Sequence, residues 1–245
     1  MPGQRFDRVD ALRGIAIVWM TVFHFYFDLN HLGFIRENFR HDPFWTGQRT
    51  AIVTLFLFCA GLGQAVAHQH GLGWPRFWRR WVQVAGCAVL VSAGSYLMFP
   101  KSWIYFGVLH GIAVMLIVAR LTAGWGQWLW LMGAFAIAIK YIAASAITTW
   151  AALAFLNEPG WNVLGLISQK PRTEDYVPLI PWLGVVWWGM AAGQWLLVSK
   201  SGWVQGAIPA AANPLAWLGR HSLAWYMAHQ PVLIGALMGY QWVRG

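Results

Sequence analysis

Asp10, Arg13, Thr21, His24 and Asp28 all stand in the first apolar segment of the chain, VDALRGIAIVWMTVFHFYFDLNHL over residues 9–32. An ionisable group at membrane depth is costly, so Asp10, Arg13, His24 and Asp28 are candidate functional positions. At ~100° per residue, with Asp10 as zero, Arg13 falls near ~300°, Thr21 near ~20°, His24 near ~320° and Asp28 near ~0°. The five share one stripe of a helix. A neutral imidazole is a competent general base near neutral pH, and it can also carry an acyl group as a nucleophile. Asp28, one turn beyond His24, can orient the ring or stabilise an imidazolium. The alternative is a His–Asp pair that holds two helices together. Apart from His24 with Asp28, no pair has metal-ligand spacing, so no metal is expected.

Further candidates lie elsewhere in the chain. His110 and His229 fall inside later apolar segments, and His41 follows the first one. Arg76, Arg79 and Arg80 form a basic cluster that suits a phosphate-rich ligand, or that anchors an inner membrane face. Arg13 can pair with Asp10 three residues earlier or reach a ligand. Ser222 and Tyr226 share a helix face with His229, where interhelical hydrogen bonding is the default role.

Elements of membrane length must position these groups. The 245 residues are 58% hydrophobic and only 10% charged, well below the ~25% of soluble domains. Stretches such as Thr50–Ala67, Trp81–Pro100, Leu121–Ile139, Tyr176–Val198 and His221–Val243 lack any Asp, Glu, Lys or Arg. The fold class is therefore all-α, a polytopic transmembrane helical bundle. Seven spans are expected, near 11–32, 49–68, 80–99, 103–121, 125–147, 178–198 and 221–241. An eighth is allowed, because Lys140 interrupts the tract 121–157. Residues 203–218 are too short and too Pro-broken to span and are expected at the interface. The whole chain, 1–245, is expected to be a single domain.

With the N-terminus inside, nine Lys and Arg lie on inner segments against seven on outer ones. That bias, led by the first helix and the loop before Trp81, predicts a cytoplasmic N-terminus. The net charge of +9 fits anionic headgroups. No nucleic-acid partner is expected, because no soluble basic domain exists to carry one. Cys59 and Cys87 lie in apolar segments and imply no disulfide framework.

The order of motifs resembles the bacterial branch of the heparan-alpha-glucosaminide N-acetyltransferase-like family. The segments that carry the likeness are RVDALRGIAIVWMTVFHFYFDLN (8–30), FGVLHGIAVMLIVAR (106–120), DYVPLIPWLGVVWWGM (175–190) and NPLAWLGRHSLAWYMAHQPVL (213–233). The broader acyltransferase-3 family shares the Asp-x-Leu-Arg opening and the first-helix histidine, but it has about ten spans, too many for this chain. The resemblance implies a multi-pass membrane acyltransferase of a bacterial inner membrane. It would take an acetyl or acyl group from cytoplasmic acyl-CoA and deliver it to a sugar amine or hydroxyl on the periplasmic side. Asp10, Arg13 and His24 match the family's opening motif. In the lysosomal branch Asn stands at the position of His24, and the catalytic histidine comes later, so Arg40-His41-Asp42 keeps His41 as a second candidate.

On that reading His24, Asp28 and His41 are the candidate catalytic groups. Asp10, Arg13, Arg76, Arg79 and Arg80 would hold acetyl-CoA, and His110, Tyr226 and His229 would support the substrate. The implied partners are the lipid bilayer, acyl-CoA and a sugar or glycan acceptor, with a homodimer left open. The rival reading is a transporter or flippase for a lipid-linked or small anionic substrate.

Overall fold

The computed structural model describes residues 6–200, 202 and 206–244. Eight α-helices order the described residues: α1 (Asp7–His31), α2 (Pro43–Gln69), α3 (Trp74–Met98), α4 (Val108–Leu121), α5 (Trp128–Thr149), α6 (Leu179–Ser199), α7 (Asn213–Arg220) and α8 (Ser222–Arg244). Apolar segments fold this way because a helix satisfies its own backbone hydrogen bonds where water is excluded. Asp7 and Asp10 in the first turn of α1 suit the positive end of its dipole. A proline opens α3, where its missing N–H costs nothing.

Each of the seven expected segments contains a helix. Four of these, α1, α2, α3 and α5, are long and apolar enough to cross a membrane. The segment 103–121 departs from expectation. Its helix, α4, has 14 residues, about 21 Å at ~1.5 Å per residue, shorter than a ~30 Å hydrocarbon core. The missing turn is drawn off into pairing with the loop before α6. Glu174 N–H donates to Ser102 O at 3.0 Å, Val177 N–H donates to Phe106 O at 3.1 Å, and Phe106 and Tyr176 form a bridge. Lys140 does not divide its tract. α5 runs through it to Thr149, and a 3-10 helix, Ala151–Asn157, follows. α6 bends at Ile180, which has φ −97° and ψ 130°. Of residues 203–218, the first three lie outside the described residues, and the rest hold a short 3-10 turn and the eight-residue α7.

The chain divides into two compact units, residues 1–56 with 202–245 and residues 57–201. In the first, α1 packs against α7 and α8. The contact with α7 is backbone to backbone. A Cβ on Gly219 would fall 1.8 Å from Asp10 O, and one on Gly14 would fall 2.0 Å from Leu215 O. Arg220 on α7 pairs with Asp7 at 3.0 Å. α8 then runs in the same sense as α1: Trp225, His229 and Gln241 reach Thr21, His24 and Leu32 in turn. Ile17, Met20, Phe23, Phe39 and Ile52 form the buried core here, with Leu218 and Tyr226 packed on it.

In the second unit α6 is the central element. Gly189 lies against Phe58 O and Gly184 against Gly133 O, each too close for a side chain. Indole N–H groups tie the remaining helices. Trp187 donates to Thr122 Oγ1 at 2.9 Å and Trp81 to Ala113 O at 2.8 Å. Outside the long helices, burial raises the Tyr176 hydroxyl above the ordinary tyrosine range, and Tyr105 beside it adds to the shift. That hydroxyl donates to Asn162 O. A raised folded value means the unfolded chain loses its proton first, so stability falls as pH rises above ~10. Melting curves between pH 8 and pH 11 should show this loss, and Tyr176→Phe should remove part of it. An unchanged slope in the variant would assign the loss to other groups.

Candidate functional site

The polar stripe of α1 is turned toward α7 and α8. Asp10 and Arg13 form the pair that their spacing allows, Oδ1 to Nη1 at 2.9 Å. Further along, Trp225 Nε1 donates to Thr21 Oγ1 at 2.9 Å, and Thr21 Oγ1 donates back to Ile17 O at 2.8 Å. One turn beyond, His24 Nδ1 lies 2.7 Å from His229 Nε2. The two rings are 12° from parallel with centroids 5.0 Å apart. Face-to-face rings at that spacing could not bring two nitrogens to 2.7 Å, so the imidazoles are nearly coplanar and meet edge to edge. This is a hydrogen bond, not a π-stack.

The partners assign the protons. His229 Nδ1 lies 2.7 Å from Tyr226 O and 3.2 Å from Trp225 O. Carbonyl oxygens only accept, so Nδ1 carries the hydrogen and Nε2 carries the lone pair. His24 Nδ1 must then donate to it. The second nitrogen of His24, Nε2, then carries the lone pair. His229 is 6% exposed, and His24 is partly open.

Asp28 is 1% exposed and takes a different partner from the one the spacing suggested. Its Oδ1 accepts from Gln230 Nε2 at 2.7 Å, so the carboxylate is joined to α8 and not to the His24 ring. Rotation along α1 explains the change. The stripe faces a second polar helix, and His229 and Gln230 present donors and acceptors before two residues on α1 can meet each other. Gln230 was missed by the sequence reading. Its signal was available: a polar residue beside His229, inside an apolar segment and directly before Pro231. Pro231 lies within α8 and has no N–H to return to the preceding turn.

Tyr226 packs beside His229, with ring centroids 5.8 Å apart. His41 lies in the exposed turn between α1 and α2, where its backbone N–H donates to Asn38 Oδ1 at 3.1 Å. On the opposite face of α1, Trp19, Phe23, Tyr26, Phe44, Trp45 and Gln48 line an open aromatic groove of about 370 Å³.

The remaining candidates belong to the second unit. His110 has both ring nitrogens engaged. Gly107 N–H reaches its Nδ1 at 3.3 Å, and Ser92 Oγ lies 2.9 Å from its Nε2. Ser92 Oγ donates to Ile104 O at 2.7 Å, so the serine oxygen accepts from His110. The ring thus fastens the start of α4. Arg76 and Arg79 are exposed in the first turns of α3, and Arg80 donates to Gln83 at 2.9 Å. Among the described residues no group of three or more His, Cys, Asp or Glu is placed to hold a metal ion.

The family model for the catalytic region of heparan-alpha-glucosaminide N-acetyltransferase matches residues 5–231. The chain belongs to this family. The matched region runs from the start of α1 to Pro231 and so includes Asp10, Arg13, His24, Asp28, His229 and Gln230. Comparison with curated proteins and with solved structures gave no match. Membership makes the chain a transferase of the acyl-transfer class, with helices suited to a membrane and, in the family generally, acetyl-CoA as donor.

Proposed function

We propose that the chain is an integral-membrane acyltransferase in which His24 Nε2 is the general base. The observation that carries the reading is the hydrogen bond from His24 Nδ1 to His229 Nε2, with His229 Nδ1 held by the Tyr226 carbonyl. That chain leaves one basic nitrogen in a fixed direction within a partly enclosed polar cluster. His229 fixes the tautomer and direction of the ring, as a carboxylate does in other oriented histidine bases, though it brings no negative charge.

His24 Nε2 removes the proton of an acceptor N–H or O–H while that atom's lone pair forms a bond to the thioester carbon. The tetrahedral adduct collapses with loss of the C–S bond, and the thiolate takes the proton back from His24. Direct transfer of this kind needs no acyl-histidine. The donor approaches the end of α1 that holds Asp10 and Arg13, about 21 Å from His24 at ~1.5 Å per residue. Arg76, Arg79 and Arg80, in the second unit, are guanidinium groups of the kind that binds phosphate. In this reading that end is cytoplasmic, the acceptor is a sugar amine or hydroxyl on the periplasmic side of a bacterial inner membrane, and the whole chain serves as one transferase domain.

Protein in lipid nanodiscs, supplied with acetyl-CoA and glucosamine, should release free thiol only when both are present, and an acetylated sugar should appear in equal amount by mass spectrometry. Thiol release without any acetylated product, or none at all across amine and hydroxyl sugars, would overturn the proposal.

A further inference from the structure

Beside the His24–His229 pair, two buried acceptor atoms have no donor: Asp28 Oδ2 and Gln230 Oε1. The orientation of the amide follows from its bond. Gln230 Nε2 donates to Asp28 Oδ1 at 2.7 Å, so the nitrogen faces the carboxylate and Oε1 faces away from it. Gln230 is also a neighbour of the His24 ring. A buried acceptor without a donor weakens a fold, and most strongly where water is excluded. It is tolerated where a donor arrives during the working cycle.

His24 Nε2 is such a donor, because it has no hydrogen at rest and gains one on taking the acceptor's proton. The side chains of α8 against the ring are His229 and Gln230, with Tyr226 beside His229 and Asp28 beside Gln230. The unfilled positions among them are acceptors, which suit a ring that becomes cationic.

We infer that Gln230 is a positioning residue for the base: held by Asp28, its Oε1 receives the N–H that forms at His24 Nε2, while His229 holds the opposite nitrogen. The N–H is shared between Gln230 and the nucleophile until the thiolate removes it. Asp28 acts through Gln230 and holds the amide the right way round. This rests on the acyl-transfer reading of the same site.

The test uses the full chain in nanodiscs with acetyl-CoA and glucosamine. Gln230→Leu should lower kcat about 10- to 100-fold, with KM for acetyl-CoA within about twofold of wild type. Gln230→Glu should recover much of that loss. Two adjoining carboxyls share one proton, which restores a donor toward Asp28 and an oxygen toward His24. Asp28→Asn should cost less than Asp28→Ala, because its amide oxygen still accepts from Gln230. Equal kcat losses in the Leu and Glu variants would reduce Gln230 to a packing role and overturn the inference. So would a wild-type kcat in Gln230→Leu. If Gln230→Leu does not fold, the order of the Asp28 variants decides, and equal losses there sink the idea. An inactive wild type, or an active His24→Ala, would instead fail the base assignment itself.

Discussion

His24→Ala should lower kcat by about 10² to 10⁴-fold, the range for loss of a positioned general base. His24→Gln should fall as far, because an amide fills the space and keeps a hydrogen bond to His229 but cannot take a proton. The pair of variants separates chemistry from packing. A cavity effect would spare the glutamine variant, and a base effect would not. KM for the donor should stay near wild type, since His24 is remote from the Asp10–Arg13 end of the stripe. The alanine variant should melt lower, because it leaves the buried His229 Nε2 without a donor, and the glutamine variant should melt nearer wild type. His41→Ala is the comparison. In an exposed turn, with its ring outside the cluster, His41 should lose less than about threefold, within the scatter of surface changes. Full activity in His24→Ala with loss in His41→Ala would move the base to the loop. Either result measures the reaction directly by thiol release.

Gly219→Val should cost about 3 kcal/mol or more, at or beyond the upper end of ordinary overpacking. The first atom of any side chain there would lie 1.8 Å from Asp10 O and 3.0 Å from Gly14 N. The obstruction is backbone on both sides, so no rotamer relieves it. α7 must lift from α1, and α8, which follows directly after His221, must move with it. His229 and Gln230 would then lose their places against His24 and Asp28. The expected result is a lower melting temperature, a smaller monodisperse fraction by size-exclusion chromatography, and loss of transfer in whatever folds. Gly14→Ala should act in the same direction, since its Cβ would meet Leu215 O at 2.0 Å. Gly86 and Gly94 on α3 have open space where a Cβ would stand, so alanine there should leave melting nearly unchanged. A Gly219→Val protein that melts like wild type would refute the backbone contact.

The two results concern different links of one chain of cause. In the proposed mechanism His24 supplies the base. Gly14 and Gly219 let the helices approach closely enough for α8 to supply its partners. Small residues serve this purpose in membranes because apolar side chains gain little by leaving lipid for protein, so close contact must come from the backbone.

Much of this is legible in the sequence. Apolar run lengths located a helix in every expected segment, and the ~100° period placed Asp10, Arg13, Thr21, His24 and Asp28 on one side of α1. The Asp10–Arg13 pair was one of the two readings the spacing allowed, because three residues apart on a helix is a neighbour distance. The length of α4 was not legible. Residues 102–106 are apolar enough to read as helix, and only their pairing with 174–177 takes them out of it. The partners of His110 were not legible either, since Ser92 lies 18 residues away and meets its ring only in the folded chain.

The sequence by itself determined that the chain is helical and that its first helix carries a polar stripe with a histidine in it. It did so because periodicity and hydropathy are local properties. Only the tertiary structure decided which groups that histidine meets. His24 and His229 are 205 positions apart, and no local rule relates them. Their meeting depends on where α7 and α8 cross α1, which Gly14 and Gly219 fix by backbone contact. That crossing, and not the four-residue spacing to Asp28, assigns the proton on each ring and leaves Nε2 of His24 free to act.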